Sequence, residues 1–516
     1  MSQPAASAPP PLHGAALFMV AIALALGTFM QVLDSTIANV ALPTIAGNLG
    51  ESSDTATWVI TAFAAANGVT VPLTGWLMRR LGLVRAFALS VGLFTLASLL
   101  CGLAWSMPSL VVFRLLQGAV SGPMIPGSQA LLIAIFPPHK RTIAMSIWSM
   151  TALIGPVLGP ILGGYISDHY HWGWIFLINV PVGLITVPVL LARMGPYNTP
   201  PVRLPFDAVG VGLLIAWVGA LQVVLDLGKN ADWFHSTLIC VASVVAGVAF
   251  VAWVIWELTD EHPAVDLTLF KSRNFALGTT AFCLGYALFF ASNLLMPLWL
   301  QQQLGYTATW AGIVLAPAGM VAFCMAPVVA RLVTRFDLRL VASYAMLAYG
   351  ASYFMRTGFS EATDVPHFVY PALVQGTAMG MFFMSMTQIS LDRLPPERIP
   401  SATGISNFAR ITGGAFAASI TTTFWDRREA LHQSRLADAA TPAGPGYSAA
   451  LAHLRAGGLT DTQAHGALDH LVSGQSYLMA SIDIFWFCGM ASLVLVPLLW
   501  CVRKPASLSG APMVAD

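Results

Sequence analysis

The sequence predicts an all-α membrane protein of fourteen transmembrane helices, set as two six-helix bundles with two further helices between them. Three observations predict this: the composition, the uncharged runs, and an internal repeat. Of 516 residues, 57% are hydrophobic and 9% charged, against roughly a quarter charged in soluble chains. So few charges do not cover a water-soluble body of this length, and the apolar surface must face lipid. The runs 87–105 and 238–256 carry no charge. A bilayer-spanning helix needs about twenty such residues.

Residues 1–14 read as a cytoplasmic tail, because no basic segment or cleavage site marks a signal peptide. Apolar runs between Gly, Pro and charged punctuation place helices at 15–39, 56–77, 85–105, 108–135, 142–166 and 174–193, a first bundle over 15–193. Two more follow at 207–226 and 236–256, an inserted pair over 207–256. The last six, at 275–300, 309–330, 340–357, 366–390, 401–426 and 477–502, make a second bundle over 275–502. Within it, the polar loop 427–476 reads as a solvated amphipathic helical hairpin, and 503–516 as a second cytoplasmic tail. With the N-terminus inside, sixteen of the 24 Lys and Arg fall on the cytoplasmic side, among them Arg79, Arg80, Arg85, Arg331, Arg335 and Arg339. Lys229 and Arg356 fall outside, with the four arginines of the long loop. Positive charge marks cytoplasmic loops, so both ends are expected inside. The six cysteines all fall in expected spans and read as packing residues without disulfides.

The stretch Arg114-Leu-Leu-Gln117-Gly118-Ala-Val-Ser-Gly122 recurs as Ala372-Leu-Val-Gln375-Gly376-Thr-Ala-Met-Gly380, 258 residues on. Both copies lie in the fourth helix of a six-helix group. The basic loop 79–85 has a counterpart at 331–339. Parallel six-helix halves resemble the architecture of the major facilitator superfamily.

Further motifs sharpen the resemblance. Leu33-Asp34-Ser35-Thr36-Ile37-Ala38-Asn39-Val40-Ala41-Leu42-Pro43 resembles the first-helix signature of the fourteen-span drug:proton antiporters. Gly155-Pro156-Val-Leu-Gly159-Pro160-Ile-Leu-Gly163-Gly164 resembles their fifth-helix antiporter motif, and Arg114-Leu-Leu-Gln117-Gly118 their fourth-helix proton-linked motif. Trp172-Gly-Trp174-Ile-Phe-Leu-Ile-Asn179-Val-Pro181, Leu269-Phe-Lys-Ser-Arg-Asn-Phe275 and the stretch 401–428 are similar to the EmrB branch of the EmrB/QacA family. One loop departs. Where the family reads Gly-x-Leu-x-Asp-Arg-x-Gly-Arg, this chain has Gly75, Leu77, Arg79, Arg80, Gly82 and Arg85, with arginine at the acidic position. The resemblance implies a proton-coupled antiporter of the bacterial inner membrane. It would export hydrophobic or amphipathic drugs from the cytoplasm or inner leaflet by rocker-switch alternating access. It also implies a periplasmic adaptor and, through it, an outer-membrane channel.

Ionisable groups inside spans are costly in lipid and mark function. The expected interior set is Asp34, Arg114, Arg410 and Asp483. Asp34 and Arg114 lie five to six residues from the outer ends of their helices, roughly 7–9 Å deep. Asp34 is the expected proton acceptor, with Arg114 or a cationic substrate competing for it; a static structural pair is the other reading. Near the midplane, Arg410 would hold an anionic substrate group, attract a proton-carrying carboxylate, or bind carbonyls. Asp483 reads as a near-interface carboxylate reaching outer water. The repeated glycines and prolines at 155–164 would let helices approach closely and bend. Gln31, Asn67, Gln117, Trp148, Phe289, Asn293, Met384, Gln388 and Asn407 are candidates for an adaptable apolar cavity with sparse polar groups.

No phosphate-binding loop, catalytic constellation or metal-ligand cluster is evident, and His453, His465 and His470 do not read as a metal site. No cofactor beyond coupling protons and no nucleic-acid partner is expected. A dedicated exporter of one metabolite, such as a fatty acid or siderophore, fits the same scaffold. A non-transporting receptor or scaffold is disfavoured by the buried charges.

Overall fold

The computed structural model describes residues 12, 14–137, 144, 148, 151, 155, 158–159, 162–167, 169–360, 363–439 and 445–505. All regular structure among them is helical. In the first bundle these are α1 (Gly14–Leu49), α2 (Ser53–Ala56), α3 (Trp58–Thr70), α4 (Thr74–Leu81), α5 (Leu83–Gly102), α6 (Met107–Ser121), α7 (Met124–Ile135), α8 (Trp174–Leu177) and α9 (Asn179–Met194). The inserted pair is α10 (Ala208–Leu227) and α11 (Thr237–Thr259). The second bundle holds α12 (Arg273–Gln302), α13 (Ala308–Arg335), α14 (Leu338–Arg356), α15 (Val365–Leu391), α16 (Ile399–Ala439), α17 (Pro445–Ala456) and α18 (Asp461–Trp500). Much of the expected fifth span, 142–166, lies outside the described residues. Among the described residues nine helices are long and apolar enough to cross a membrane, or ten if α3 and α4 count as one bent span.

Several expected boundaries are corrected. The second span bends by 61° between α3 and α4. Pro72 lacks the N–H that would continue the ladder, and Thr74 Oγ1 donates to the Val71 carbonyl at 2.6 Å instead. α1 runs ten residues past its expected end, through Pro43, so Asp34 sits well inside the helix rather than near its outer end. The hairpin expected at 427–476 is helical, but it continues the thirteenth and fourteenth spans without a break. α16 has 41 residues and α18 has 40. At 1.5 Å per residue each is about 60 Å long, twice the hydrocarbon thickness. A capping box of Thr460 and Gln463 starts α18.

The two halves repeat one packing device. A Cβ on Gly118 would lie 2.4 Å from the Phe63 carbonyl oxygen, and one on Gly376 2.5 Å from that of Ala318. Each glycine lets the fourth helix of its half lie directly on the second. Gln129 and Thr387, which are equivalent positions in the repeat, meet across the halves at 3.5 Å. We call the end of the molecule where α1 and α16 start the inner end. Thr403 Oγ1 donates to the Pro126 carbonyl at 3.3 Å, and Asn407 Nδ2 to Gln129 Oε1 at 3.0 Å. A Cβ on Gly75 would meet Ser401 Cα at 2.7 Å. The halves thus touch along the first third of α16.

The inserted pair packs through Leu214, Trp217 and Trp253 on Phe275, Ala402 and Ile405. Asp207 accepts from Gly210 N at 2.7 Å and Trp256 Nε1 at 3.0 Å, which caps α10 and ties it to α11. Val241, Val244, Val248, Val251 and Ile255 are exposed at helical spacing, the lipid face of α11.

Gly118→Ala and Gly376→Ala are each expected to destabilise the fold by about 1–3 kcal/mol. The check is the thermal unfolding midpoint of purified protein in detergent; unchanged midpoints would show that these crossings tolerate separation.

Candidate functional site: a buried carboxylate cluster

The site is built where α1 passes α6. Arg114 and Gln117 lie one turn apart on the same face of α6, the spacing that makes helical neighbours. Both turn toward Asp34 on α1. Arg114 Nη1 donates to Asp34 Oδ2 at 2.5 Å, and Gln117 Nε2 donates to Asp34 Oδ1 at 3.0 Å. Asn179 Nδ2, on α9, adds a third bond to Oδ1 at 3.1 Å. Arg114 Nε donates to the Val59 carbonyl at 3.2 Å, and its guanidinium carbon lies 4.1 Å from the centre of the Phe63 ring. Ser98 Oγ, on α5, accepts from Gln117 Nε2 at 2.7 Å. Asp34 is 0% exposed and Arg114 1%, so no water screens the pair. A buried ion pair persists only when its remaining polar atoms are also bonded, and here both carboxylate oxygens have partners.

The fifth-helix glycines pack beside this cluster. A Cβ on Gly155 would lie 2.5 Å from Val32 Cγ1, on Gly159 2.1 Å from Thr36 Oγ1, and on Gly163 2.8 Å from the Ile37 carbonyl. All three target residues flank Asp34 on α1. Gly164 is half-buried. Pro156 and Pro160 of the same motif lie outside the described residues.

The loop motif forms a different contact. Arg79, Arg80 and Arg85 are exposed. Gly82 has φ +89°, and a Cβ there would lie 2.4 Å from the Asn198 amide. Asn198 Oδ1 accepts from Val84 N at 3.0 Å and Arg85 N at 3.2 Å, so it caps α5. Val202 N donates to the Arg79 carbonyl at 2.9 Å, and Arg80 Nη1 to the Leu204 carbonyl at 3.2 Å. The linker after the sixth span therefore packs on this loop.

The expected cavity residues scatter. Gln117 belongs to the Asp34 cluster. Asn67 Nδ2 donates to Ser121 Oγ at 2.7 Å, and Trp148 Nε1 to Ser128 Oγ at 3.1 Å, both inside the first bundle. Asn293 Nδ2 donates to the Phe289 carbonyl of its own helix at 2.7 Å. Asn407 meets Gln129 across the halves, and Arg410 Nη2 donates to Asn407 Oδ1 at 3.2 Å. The Arg410 guanidinium lies over the Tyr286 ring at 4.7 Å. Gln388 is buried, and neither of its amide atoms has a partner among the described residues; the same holds for Gln31 Oε1. Met384 is 1% and Phe289 7% exposed.

The interior charge set also needs correction. Asp483 does not simply reach outer water. Its Oδ2 accepts from Arg428 Nη2 at 2.6 Å and meets His432 Nε2 at 2.7 Å, which clamps α18 to α16. Arg356, expected on the outer side at the end of its span, ends α14 and is 2% exposed. Glu257 and Asp226 are further acids inside spans. Glu257 is bonded by Trp253 Nε1 and Val265 N, each at 3.0 Å, and Asp226 by Gln222 at 2.9 Å. Ser98 and Asn198 were not legible as site residues; Asn179 stood in a motif without a role.

Removing one member of a buried ion pair costs about 3–5 kcal/mol, because the other charge stays buried. Arg114→Leu is therefore expected to lower thermal stability more than the double variant Asp34→Asn/Arg114→Leu. A double-mutant cycle on unfolding midpoints checks this; additive effects would mean the pair is uncoupled.

The sequence profile of the Major Facilitator Superfamily matches residues 24–418. The multidrug export protein EmrB of Escherichia coli (strain K12) is 45% identical over 501 residues, 97% of this chain and 98% of that protein. The fatty acid resistance protein FarB of Neisseria gonorrhoeae is 43% identical over 505 residues, 97% of this chain and 99% of that protein. Among solved structures, the proton:xylose symporter XylE bound to 6-bromo-6-deoxy-D-glucose has the same fold, with a TM-score of 0.60 at 14% identity over 95% of this chain and 96% of that one. By fold, profile and identity over nearly its whole length, the chain belongs to the major facilitator superfamily, in the branch of the EmrB-type multidrug export proteins.

Proposed function

We propose that the chain is a proton-coupled antiporter that exports hydrophobic and amphipathic compounds from the cytoplasm or inner leaflet by alternating access. It would sit in the bacterial inner membrane with both termini cytoplasmic. The observation that carries this reading is the fully buried Asp34–Arg114 pair. Protonation of Asp34 removes the charge that holds Arg114, Gln117 and Asn179 in place. The two helices that donate to it, α6 and α9, then lose their common partner. The glycine face of the fifth span would transmit a shift of α1, since the Thr36 side chain rests directly on the Gly159 backbone. The contacts of Gly75, Thr403 and Asn407 would close the inner end in one half of the cycle. The polar seam of Gln129, Asn407, Arg410 and Gln388 would line the substrate path.

The relatives' names favour multidrug export, and FarB keeps a dedicated fatty acid exporter as the second reading. The long helices α16 and α18 carry the hairpin about 30 Å beyond the hydrocarbon. Between them and α17 lies a cleft of about 370 Å³ lined by Gln433, Tyr447, His465 and Asp469. We assign this hairpin to docking of a periplasmic adaptor that leads to an outer-membrane channel.

Asp34→Asn is expected to abolish drug export driven by a proton gradient in everted vesicles, with normal insertion. Undiminished export by that variant would exclude Asp34 as the coupling acid. Deleting residues 435–474 should weaken adaptor capture in a pull-down while the protein still inserts; equal capture would place docking elsewhere.

A further inference from the structure

The repeat offset carries the Asp34 cluster onto the second bundle. Moving 258 residues on, Asp34, Ser98 and Gln117 become Ser292, Arg356 and Gln375, while Arg114 becomes Ala372. The structure assembles these counterparts in the same way. Arg356 Nη1 donates to Ser292 Oγ, and Nη2 donates to Gln375 Oε1. The arginine has moved from the fourth helix of its half to the third, and serine stands where the carboxylate was.

Among the described residues, the charge balance of the two clusters therefore differs. Arg356 is 2% exposed, and Ser292 and Gln375 are each 0%. No Asp or Glu among the described residues forms an ion pair with Arg356; its other neighbours are the rings of Phe485 and Tyr353, at 5.6 and 6.0 Å from the guanidinium carbon. Three nearby donors, Gln375 Nε2, Tyr353 Oη and Tyr349 Oη, have no hydrogen-bond partner among the described residues. A buried cation amid unused donors is costly until an anion joins it.

The same tyrosines begin an aromatic ladder. Tyr353 stacks on Tyr349 with centroids 6.0 Å apart, Tyr349 lies 6.0 Å from Phe289, and Phe289 lies 5.8 Å from Tyr286. Tyr286 carries the Arg410 guanidinium on its face. Arg410, too, forms no ion pair among the described residues; its bonds go to Asn407. Two buried cations thus stand at the two ends of one apolar aromatic wall.

We infer that the Arg356 cluster binds the carboxylate of an amphipathic substrate, with the aromatic ladder receiving its apolar chain. This rests on the efflux reading for its biological role, though not for the binding itself. The guanidinium offers charge-assisted bonds to a carboxylate, and these are about twice as strong as neutral ones. An apolar wall beside it favours a tailed anion over an inorganic one.

The test uses the purified full-length protein in detergent at pH 8 and two probes with the same tail, decanoate and decanol. Decanoate is expected to bind on the order of tenfold more tightly than decanol, since charge-assisted bonds contribute at least that ratio. Ser292→Asp supplies an internal carboxylate at the position equivalent to Asp34. It should unfold at or above the wild-type temperature and lose the preference for decanoate. Equal binding of both probes by the wild type, or a preference kept by Ser292→Asp, overturns the inference. If chloride rather than decanoate stabilises the wild type, and the effect vanishes in Ser292→Asp, a carboxylate occupant is overturned in favour of an inorganic anion. No proton gradient enters this measurement. Normal export by Asp34→Asn would sink the coupling mechanism and leave the binding result untouched.

Discussion

A carboxylate and a guanidinium closed off from water govern how the first bundle is put together. Neither Asp34 nor Arg114 tolerates burial alone, so each must find the other, and the surrounding amides must saturate what remains. That requirement draws α1, α3, α5, α6 and α9 to one point. The opposite demand acts next to it. At the fifth span, α1 meets bare glycine backbone at Gly155, Gly159 and Gly163, and Thr36 Oγ1 makes a long bond to the Gly155 carbonyl at 3.4 Å. One helix is pinned by charge on one side and by close packing on the other.

The halves show how far backbone symmetry and electrostatics separate. Gly118 and Gly376 repeat the same crossing to within a tenth of an ångström at the carbonyl they face. The polar clusters at equivalent depth keep their glutamines and exchange everything else. A duplicated scaffold fixes where polar groups can stand. It does not fix which charge they carry.

Much of this was readable from residues alone, for physical reasons. Charged side chains in apolar runs are rare enough that Asp34, Arg114 and Arg410 stand out without a structure. The repeat announced the pseudosymmetry. Arg356 escaped because it ends a helix, where an arginine reads equally well as a loop anchor; the offset that maps Ser98 onto it was the unused signal. Gln117 was placed in the cavity because a neutral amide says nothing about which neighbour it will bond. The 61° bend follows from Pro72, yet a proline in an apolar run announces a kink without its angle. The hairpin is legible in the sequence, but its polarity hides that it continues the two spans without a break. Composition marks where lipid ends, and α16 and α18 leave the lipid without ceasing to be helices.

That continuity has a mechanical consequence. The same rod that presents Ser401 to Gly75 at one end holds Arg428 and His432 against Asp483 farther along, and then forms one arm of the hairpin. With α18 strapped alongside, α16 is a single continuous rod of 41 residues, and under the proposed alternating access it would act as a lever. A tilt of about ten degrees about its inner end would sweep the far tip through about 10 Å over a length of about 60 Å. Under the proposed alternating access, opening or closing the halves would not be a private event of the membrane region; its stroke would reach the hairpin tip enlarged.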